Sequence, residues 1–250
     1  MRVVFNADDF GYSKGVNLGI IEASKNGVVT STTIMANMPG FDHAMSLLEH
    51  VIGKGVHLTL TTGKSLGGVY KTLTDELGNF IHLTELTKKA EHGKIDLSEV
   101  EHEYILQIEK IRKAGVRPSH FDGHHHTQNL PGIVDVFLKL AEKYKVATRL
   151  SDKEKLKGKV INSIAIDTSF YGKNATYEQI EKILSNYDED LEIMCHPAYI
   201  DNFLHNSSSY TVERTIELDV LTNPKLKDLL AEKKITLTNF HNLQESFYGV

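Results

Sequence analysis

The sequence predicts an α/β fold, specifically an irregular (β/α) barrel, TIM-barrel-like, with mainly parallel strands. Three observations predict it. Short apolar, β-branched runs alternate from end to end with stretches of helical period. About eight such runs are present, which suits a barrel, with a doubly wound open sheet as the alternative. Ionisable or strongly polar residues stand at the carboxyl end of most runs, the edge at which either architecture gathers its chemistry.

The elements follow in order. "RVVFNA" (2–7) is the first strand, and "GVNLGIIEASKNG" (15–27) the first amphipathic helix, stopped by Gly27. The strand "TSTTIMAN" (30–37) leads to a helix over 41–50, and the strand "GVHLTLT" (55–61) leads to a break in the rhythm. A long helix over 97–115 ends at Gly115, and "PSHFDGH" (118–124) is followed by the helix "GIVDVFLKLAEKY" (132–144). The strands "VATRL" (146–150) and "VINSIAI" (160–166) precede a helix over 176–187. "LEIMCH" (191–196) and "ITLTNF" (235–240) complete the set, with a helix over 223–234 between them.

Residues 1–250 read as a single domain, with a long insertion or lid segment around 62–96 that is expected to hold a small hairpin at "DELGNF" plus polar loop. Residues 198–212 read as a second polar loop with aromatics. Long loops after strands commonly cover a binding site.

Composition narrows the function classes. With 40% hydrophobic and 24% charged residues the chain has the profile of a globular protein rather than a disordered one. A net charge of −5 supplies no basic field for nucleic acid. No run approaches the roughly 20 apolar residues of a membrane span. The single cysteine, Cys195, forms no intramolecular disulfide, and "MRVVFNADDFG" lacks a secretory apolar core, so the cytoplasm is the expected location.

Several residues are candidates for chemistry. Asp8 and Asp9 end an apolar strand, where alternation of side chains lets one carboxylate bind a cation while the other holds or removes a proton. The "DFG" at 9–11 matches the magnesium tripeptide of protein kinases, but no glycine-rich loop or "HRD" accompanies it. His57 shares one face of its strand with Thr59 and Thr61; a lone histidine there is more often a hydrogen-bonded core residue, so its weight depends on partners. The partners lie in "SHFDGHHH", where an extended chain puts His120, Asp122 and His124 on one face, and four histidines crowd one strand end. Neutral imidazoles with a carboxylate suit zinc, manganese, iron, cobalt or nickel, and a carboxylate with waters also suits magnesium. His196 ends another strand and is a candidate acid or base, whereas its neighbour Cys195 reads as a buried structural thiol.

With "NADDFG" (6–11), "NLGIIEASKNGVVTSTTIM" (17–35), "GVHLTLT" (55–61), "HFDGHHH" (120–126) and "MCHPAY" (194–199), the chain resembles the YdjC-like family of carbohydrate deacetylases, which includes chitooligosaccharide deacetylases. The resemblance implies a divalent metal, usually magnesium with zinc, manganese or cobalt as alternatives, held by His57, His124 and a first-strand aspartate. Similarity to the wider polysaccharide deacetylases assigns Asp9 to the metal and Asp8 to the general base. It further implies a small carbohydrate substrate and a homodimer. Thr127 and Gln128 stand where relatives often carry "HxHVH", a departure from the family pattern.

The function expected is metal-dependent removal of an N-acetyl group from an amino sugar or short chitooligosaccharide, phosphorylated or not. His196 is the expected acid with His126 second, and Asp122 is expected to orient a ligand imidazole. Arg149, His126 and Tyr199 are the candidate substrate contacts, with Tyr70 and Phe203 as further loop aromatics. Two alternatives stand beside this: hydrolysis of a phosphorylated disaccharide or phosphoester, for which the lysines of "SDKEKLKGK" (151–159) would attract phosphate, and a non-catalytic metal-dependent sugar-binding protein.

Overall fold

A computed structural model describes residues 1–51, 53–150, 152–157 and 162–248. The chain runs β1 (Arg2–Phe10), α1 (Lys14–Lys25), β2 (Ser31–Ile34), α2 (Phe41–Met45), β3 (Gly53–Leu58), α3 (Leu83–Glu91), α4 (Leu97–Lys113) and β4 (His120–Gly123). It continues through α5 (Ile133–Tyr144), β5 (Ala147–Thr148), β6 (Ala165–Asp167), α6 (Tyr177–Asn186) and β7 (Leu191–Cys195). The last part holds α7 (Asn202–Ser207), α8 (Val212–Thr222), α9 (Pro224–Glu232), β8 (Thr236–Leu237) and α10 (Phe240–Tyr248).

The sheet order is β5-β4-β3-β2-β1-β7-β6, every pairing parallel, and β8 pairs with the start of β1. The sheet curls into the expected irregular barrel. Its two edges approach one another where the Thr148 backbone N–H donates to the Asn162 carbonyl at 2.9 Å.

All eight expected strands are present, most of them shorter than their apolar runs. Residues 160 and 161 of the expected sixth strand lie outside the described residues. The stretch 62–96 holds a short antiparallel turn at "DELGNF", where the Asp75 N–H donates to the Asn79 carbonyl at 2.9 Å and the Ile81 N–H to the Leu73 carbonyl at 3.0 Å around the bridge Thr74↔Phe80, whereas α3 occupies what was read as polar loop. Likewise 198–212 is not all loop: Asp201 caps α7 by accepting the Leu204 N–H at 2.8 Å, and α8 follows.

Alternation along the strands divides the core. Val3, Phe5 and Ala7 belong to the main apolar core with the helices, while Val4 packs with Ala147, Phe240 and Leu243 in a small separate cluster. That cluster forms the amino-end floor of the barrel, and His120 stacks on Phe240 with centroids 4.0 Å apart. Gly55 admits this ring, because a Cβ there would stand 2.4 Å from His120 Cε1. Above the floor the buried side chains are polar: Asn6, Asp8, His57, Asp122, Arg149 and Glu192.

Two helices set the rim. The Ser13 Oγ caps α1 by accepting the Val16 N–H at 3.2 Å, and Gly19 brings that helix against Ala198, just beyond His196; a Cβ would lie 2.3 Å from Ala198 Cα. On α4, the buried Glu103 accepts from the backbone N–H groups of Leu66 and Gly67, from Tyr70 Oη at 3.1 Å and from Gln107 Nε2 at 2.8 Å. This carboxylate anchors the loop that carries Thr61, Thr62 and Gly63 to the barrel mouth. Glu103→Ala strands those backbone donors, so urea denaturation is expected to show a loss of about 2–3 kcal/mol, with protease cleavage concentrating within residues 62–72.

Candidate active site

The first strand places both aspartates by departing from regular alternation. Its register with β2 shifts between Ala7 and Phe10, and Asp9 takes a left-handed φ of 71°. A non-glycine residue in that region signals local strain. Here the turn lets consecutive carboxylates both reach the mouth of the barrel. Gly11, at φ 102°, completes it with its N–H on Asn17 Oδ1 at 2.6 Å. After β4, His125 and His126 are also left-handed, at 55° and 54°, so the histidine run coils at the rim instead of continuing as strand.

Asp9, His57 and His124 converge. Asp9 Oδ1 lies 3.2 Å from His57 Nε2 and 3.0 Å from His124 Nδ1, and the two ring nitrogens are 3.3 Å apart. All three residues are buried. An ion bonded at about 2.1 Å holds neighbouring donors about 3.0 Å apart at a right angle and about 3.4 Å apart at the tetrahedral angle. The three atoms fit one divalent cation. Two further facts agree: Asp9 Oδ1 is a buried oxygen without a hydrogen-bond donor, and around the site five buried carboxylates, Asp8, Asp9, Asp122, Glu192 and Glu217, face two buried guanidiniums, Arg149 and Arg214.

The second layer fixes this geometry. Asp122 Oδ1 sits 2.7 Å from His57 Nδ1, which leaves Nε2 for the cation. Asp122 Oδ2 accepts from Thr33 Oγ1 at 3.0 Å and lies 3.1 Å from Arg149 Nη2. Burial lowers His57, but Asp122 and Asp8 outweigh it and raise the imidazole to about 10; burial keeps His124 lowered. A second group, Asp8, His57 and Asp122, also brings three ligand atoms together, but Arg149 already occupies both of its carboxylates.

Arg149 departs from its expected role. It is 3% exposed and lies beneath the cavity rather than lining it. Its guanidinium grips Asp8 with two bonds of 2.6 and 2.7 Å and donates to Glu192 Oε1 through Nε at 2.8 Å. Every face is engaged, so Arg149 holds Asp8 instead of meeting a sugar. Burial works to raise the Asp8 carboxyl, yet Arg149 prevails and holds it below the ordinary carboxylate range. Burial also pushes Glu192 up to about 7. Asn6 Nδ2 adds a bond to Asp8 Oδ1 at 2.9 Å, and Asn6 Oδ1 in turn meets His120 Nε2 at 3.0 Å.

His196 stands opposite, with Nε2 3.9 Å from Asp8 Oδ2 and Nδ1 3.8 Å from Glu217 Oε1. Tyr171 and Tyr210 stack on each other at 4.1 Å, and each meets the His196 ring edge-on. Cys195 is buried and its thiol donates to the Asn6 carbonyl at 3.3 Å, away from the cavity.

The cavity above these groups measures about 840 Å³ and is lined by Asp8, Asp9, His57, His124, His126 and His196, with Tyr171, Phe203, Tyr210 and Arg214 among its walls. Volumes of this order take small organic ligands. The 62–96 stretch contributes Thr62, Gly63, His82 and Leu83 to the rim. Tyr199 does not line the cavity; it is 46% exposed and its backbone N–H donates to the Gly15 carbonyl at 3.1 Å, so its expected sugar contact is not made there. Tyr70 is likewise elsewhere, anchored on Glu103 and His102.

Sequence reasoning missed Arg214 and Glu217, which α8 delivers three residues apart: Arg214 Nη2 donates to Asp9 Oδ2 at 2.7 Å, and Glu217 accepts the His196 backbone N–H. In "TVERTIELDV" nothing distinguishes them from a solvated helical pair. Glu192 was more visible, being a carboxylate inside the apolar run "LEIMC".

A family model described as YdjC-like protein matches residues 2–232. The chain belongs to the YdjC-like family. Relatives of this YdjC-like chain include carbohydrate deacetylases of Brevibacillus brevis, 38% identical over 97% of this chain and all of the relative, and of Clostridium beijerinckii, 39% identical over the same shares. A solved structure from Enterococcus faecalis V583, whose name proposes cellobiose-phosphate cleavage, is 35% identical with a TM-score of 0.89, covering 97% of this chain and 98% of that one.

Titration of the metal-stripped protein with manganese separates the two aspartates. Asp9→Asn is expected to weaken the cation at least 10–100-fold, whereas Asp8→Asn should change its affinity by no more than about threefold. The reverse order would exchange their roles.

Proposed function

We propose that this chain is a metal-dependent deacetylase that hydrolyses the N-acetyl group of an amino sugar or short chitooligosaccharide. The observation that carries the reading is the convergence of a cation-fitting triad, Asp9, His57 and His124, with a separate carboxylate, Asp8, and an imidazole, His196, on one cavity. Membership of a family whose curated relatives bear the name carbohydrate deacetylase supports it. A binding protein has no need of the last two groups.

A divalent cation held by the triad supplies Lewis acidity at the acyl group. The chain's own residues do the rest. Asp8, kept ionised and aimed by Arg149, accepts a proton from the attacking water as the new C–O bond forms. His196 in its protonated form gives a proton to the amine nitrogen as the C–N bond breaks, releasing acetate and the amino sugar. Return of the captured proton from Asp8 to the imidazole restores both groups once Oδ2 and Nε2, 3.9 Å apart here, close to hydrogen-bond distance. Glu217 lies behind His196, with its Oε1 3.8 Å from the imidazole Nδ1. His126 lines the cavity and is the proposed hydroxyl contact.

Magnesium and a homodimer belong to the proposal on the family resemblance, and the cytoplasm on the lone cysteine and the amino-terminal sequence. Two imidazoles with one carboxylate also suit zinc, manganese or cobalt. The second reading, cleavage of a phosphorylated disaccharide, draws on the name of the Enterococcus faecalis relative. Against it, Arg214 is the single guanidinium among the described lining residues, and those residues include no lysine.

Metal-stripped protein resupplied with magnesium, zinc, manganese or cobalt is expected to release acetate from N-acetylated chitobiose and chitotriose or from their phosphorylated forms. His196→Ala should bind the cation normally and lose about 10²–10⁴-fold in turnover. Phosphate release without acetate would support the second reading instead.

A further inference from the structure

Arg214 is a buried cation whose bonds are only partly accounted for. It is 4% exposed and lines the cavity. Its Nη2 donates to Asp9 Oδ2 at 2.7 Å, and its Nε donates to the Tyr210 carbonyl at 3.0 Å. Its Nη1 is buried with no hydrogen-bond partner. Buried guanidinium N–H groups are ordinarily satisfied. Two other unpartnered buried atoms, Asp9 Oδ1 and His196 Nδ1, belong to residues of the same cavity.

The position adds meaning to the vacant bond. Arg214 grips the Asp9 oxygen that does not face His57 and His124, so its charge stands one carboxylate away from the proposed cation. Oxygen that gains negative charge beside that cation comes within the field of the guanidinium as well. Donors preorganised in this way act most strongly on charge that develops in the transition state. A guanidinium keeps its proton in proteins, so this positive charge is permanent. The bond that Arg214 Nε donates to the Tyr210 carbonyl fixes the direction of the side chain.

Resting on the deacetylase reading, we infer that Arg214 is a catalytic residue whose Nη1 donates to the acyl oxygen as it becomes an oxyanion, while Nη2 positions Asp9. The two duties separate experimentally. Arg214→Lys retains a cation beside Asp9 but loses the planar fork. At saturating manganese its kcat for N-acetylated chitobiose should fall about 100-fold, with KM within about threefold of wild type. An amino sugar carrying a methylphosphonamide in place of the acetamide mimics the tetrahedral state, and its affinity should fall by the same factor as kcat. Manganese affinity, read by direct titration, should change by less than about tenfold and also reports that the variant is folded. Arg214→Ala should recover turnover when guanidinium ion is added at concentrations that leave the wild type folded.

Several results overturn the inference. A kcat near that of wild type once manganese is saturating would leave Arg214 as a positioning residue for Asp9 alone. A rise in KM equal to the loss of phosphonamide affinity, with kcat unchanged, would make it a general binding group. Failure of guanidinium to restore an Arg214→Ala protein that still binds manganese would also count against it. If the wild type itself released no acetate from any N-acetyl sugar, the deacetylase reading would fail and the oxyanion role with it; a wild type that turns over beside an equally active Arg214→Lys refutes the oxyanion role only.

Discussion

Arg149 lies at the centre of the barrel with Asp8, Asp122 and Glu192 around it, and most of the site depends on that arrangement. The guanidinium fork fixes Asp8 from below through two parallel bonds. Through Asp122 it also reaches His57, whose ring is thereby turned with Nε2 toward Asp9 and His124. One buried cation thus sets both the proposed base and the orientation of a metal ligand. Replacing such a network by packed apolar residues is often neutral or stabilising, whereas removing one partner costs about 3–5 kcal/mol. Its retention is therefore better explained by positioning than by stability.

The barrel interior shows how the fold accommodates this. Strands of an all-parallel sheet are usually apolar on both faces. Here the inward face is apolar only at the floor, where Val4, Ala147, Phe240 and Leu243 pack, and polar above it. The main core lies outside the sheet, under the helices, and carries the hydrophobic burial. Helix α8 then closes the site from the side, with Arg214 on Asp9 and Glu217 on His196. Because one rigid helix holds both, the spacing between the cation site and the proposed acid is set by residues that sit one turn apart.

Much of this was legible in the sequence because strand alternation is a short-range rule. It turned one carboxylate of the Asp8–Asp9 pair toward the site, gave His57 the inward face and marked "HFDGHHH" as a rim, and Asp9, His57 and His124 do converge. Arg149 was found but misread, since a strand-end arginine looks the same whether it meets solvent or three carboxylates; only the tertiary fold brings Glu192 and Asp8 to it. Tyr199 failed for a similar reason: its backbone is tied to Gly15, which turns that segment away from the cavity. Helices α3, α7 and α8 were obscured by polar composition, and α8 delivers its functional residues from fifteen or more positions beyond the motif "MCHPAY".

The central claim is that a cation sits on Asp9, His57 and His124 while Asp8 stays free on Arg149. Anomalous diffraction from crystals grown with manganese tests it most directly. One peak bonded to Asp9 Oδ1, His57 Nε2 and His124 Nδ1, with the Asp8–Arg149 pair intact, is the predicted result. A peak among Asp8, His57 and Asp122, or one that takes Asp8 as a ligand, would contradict it.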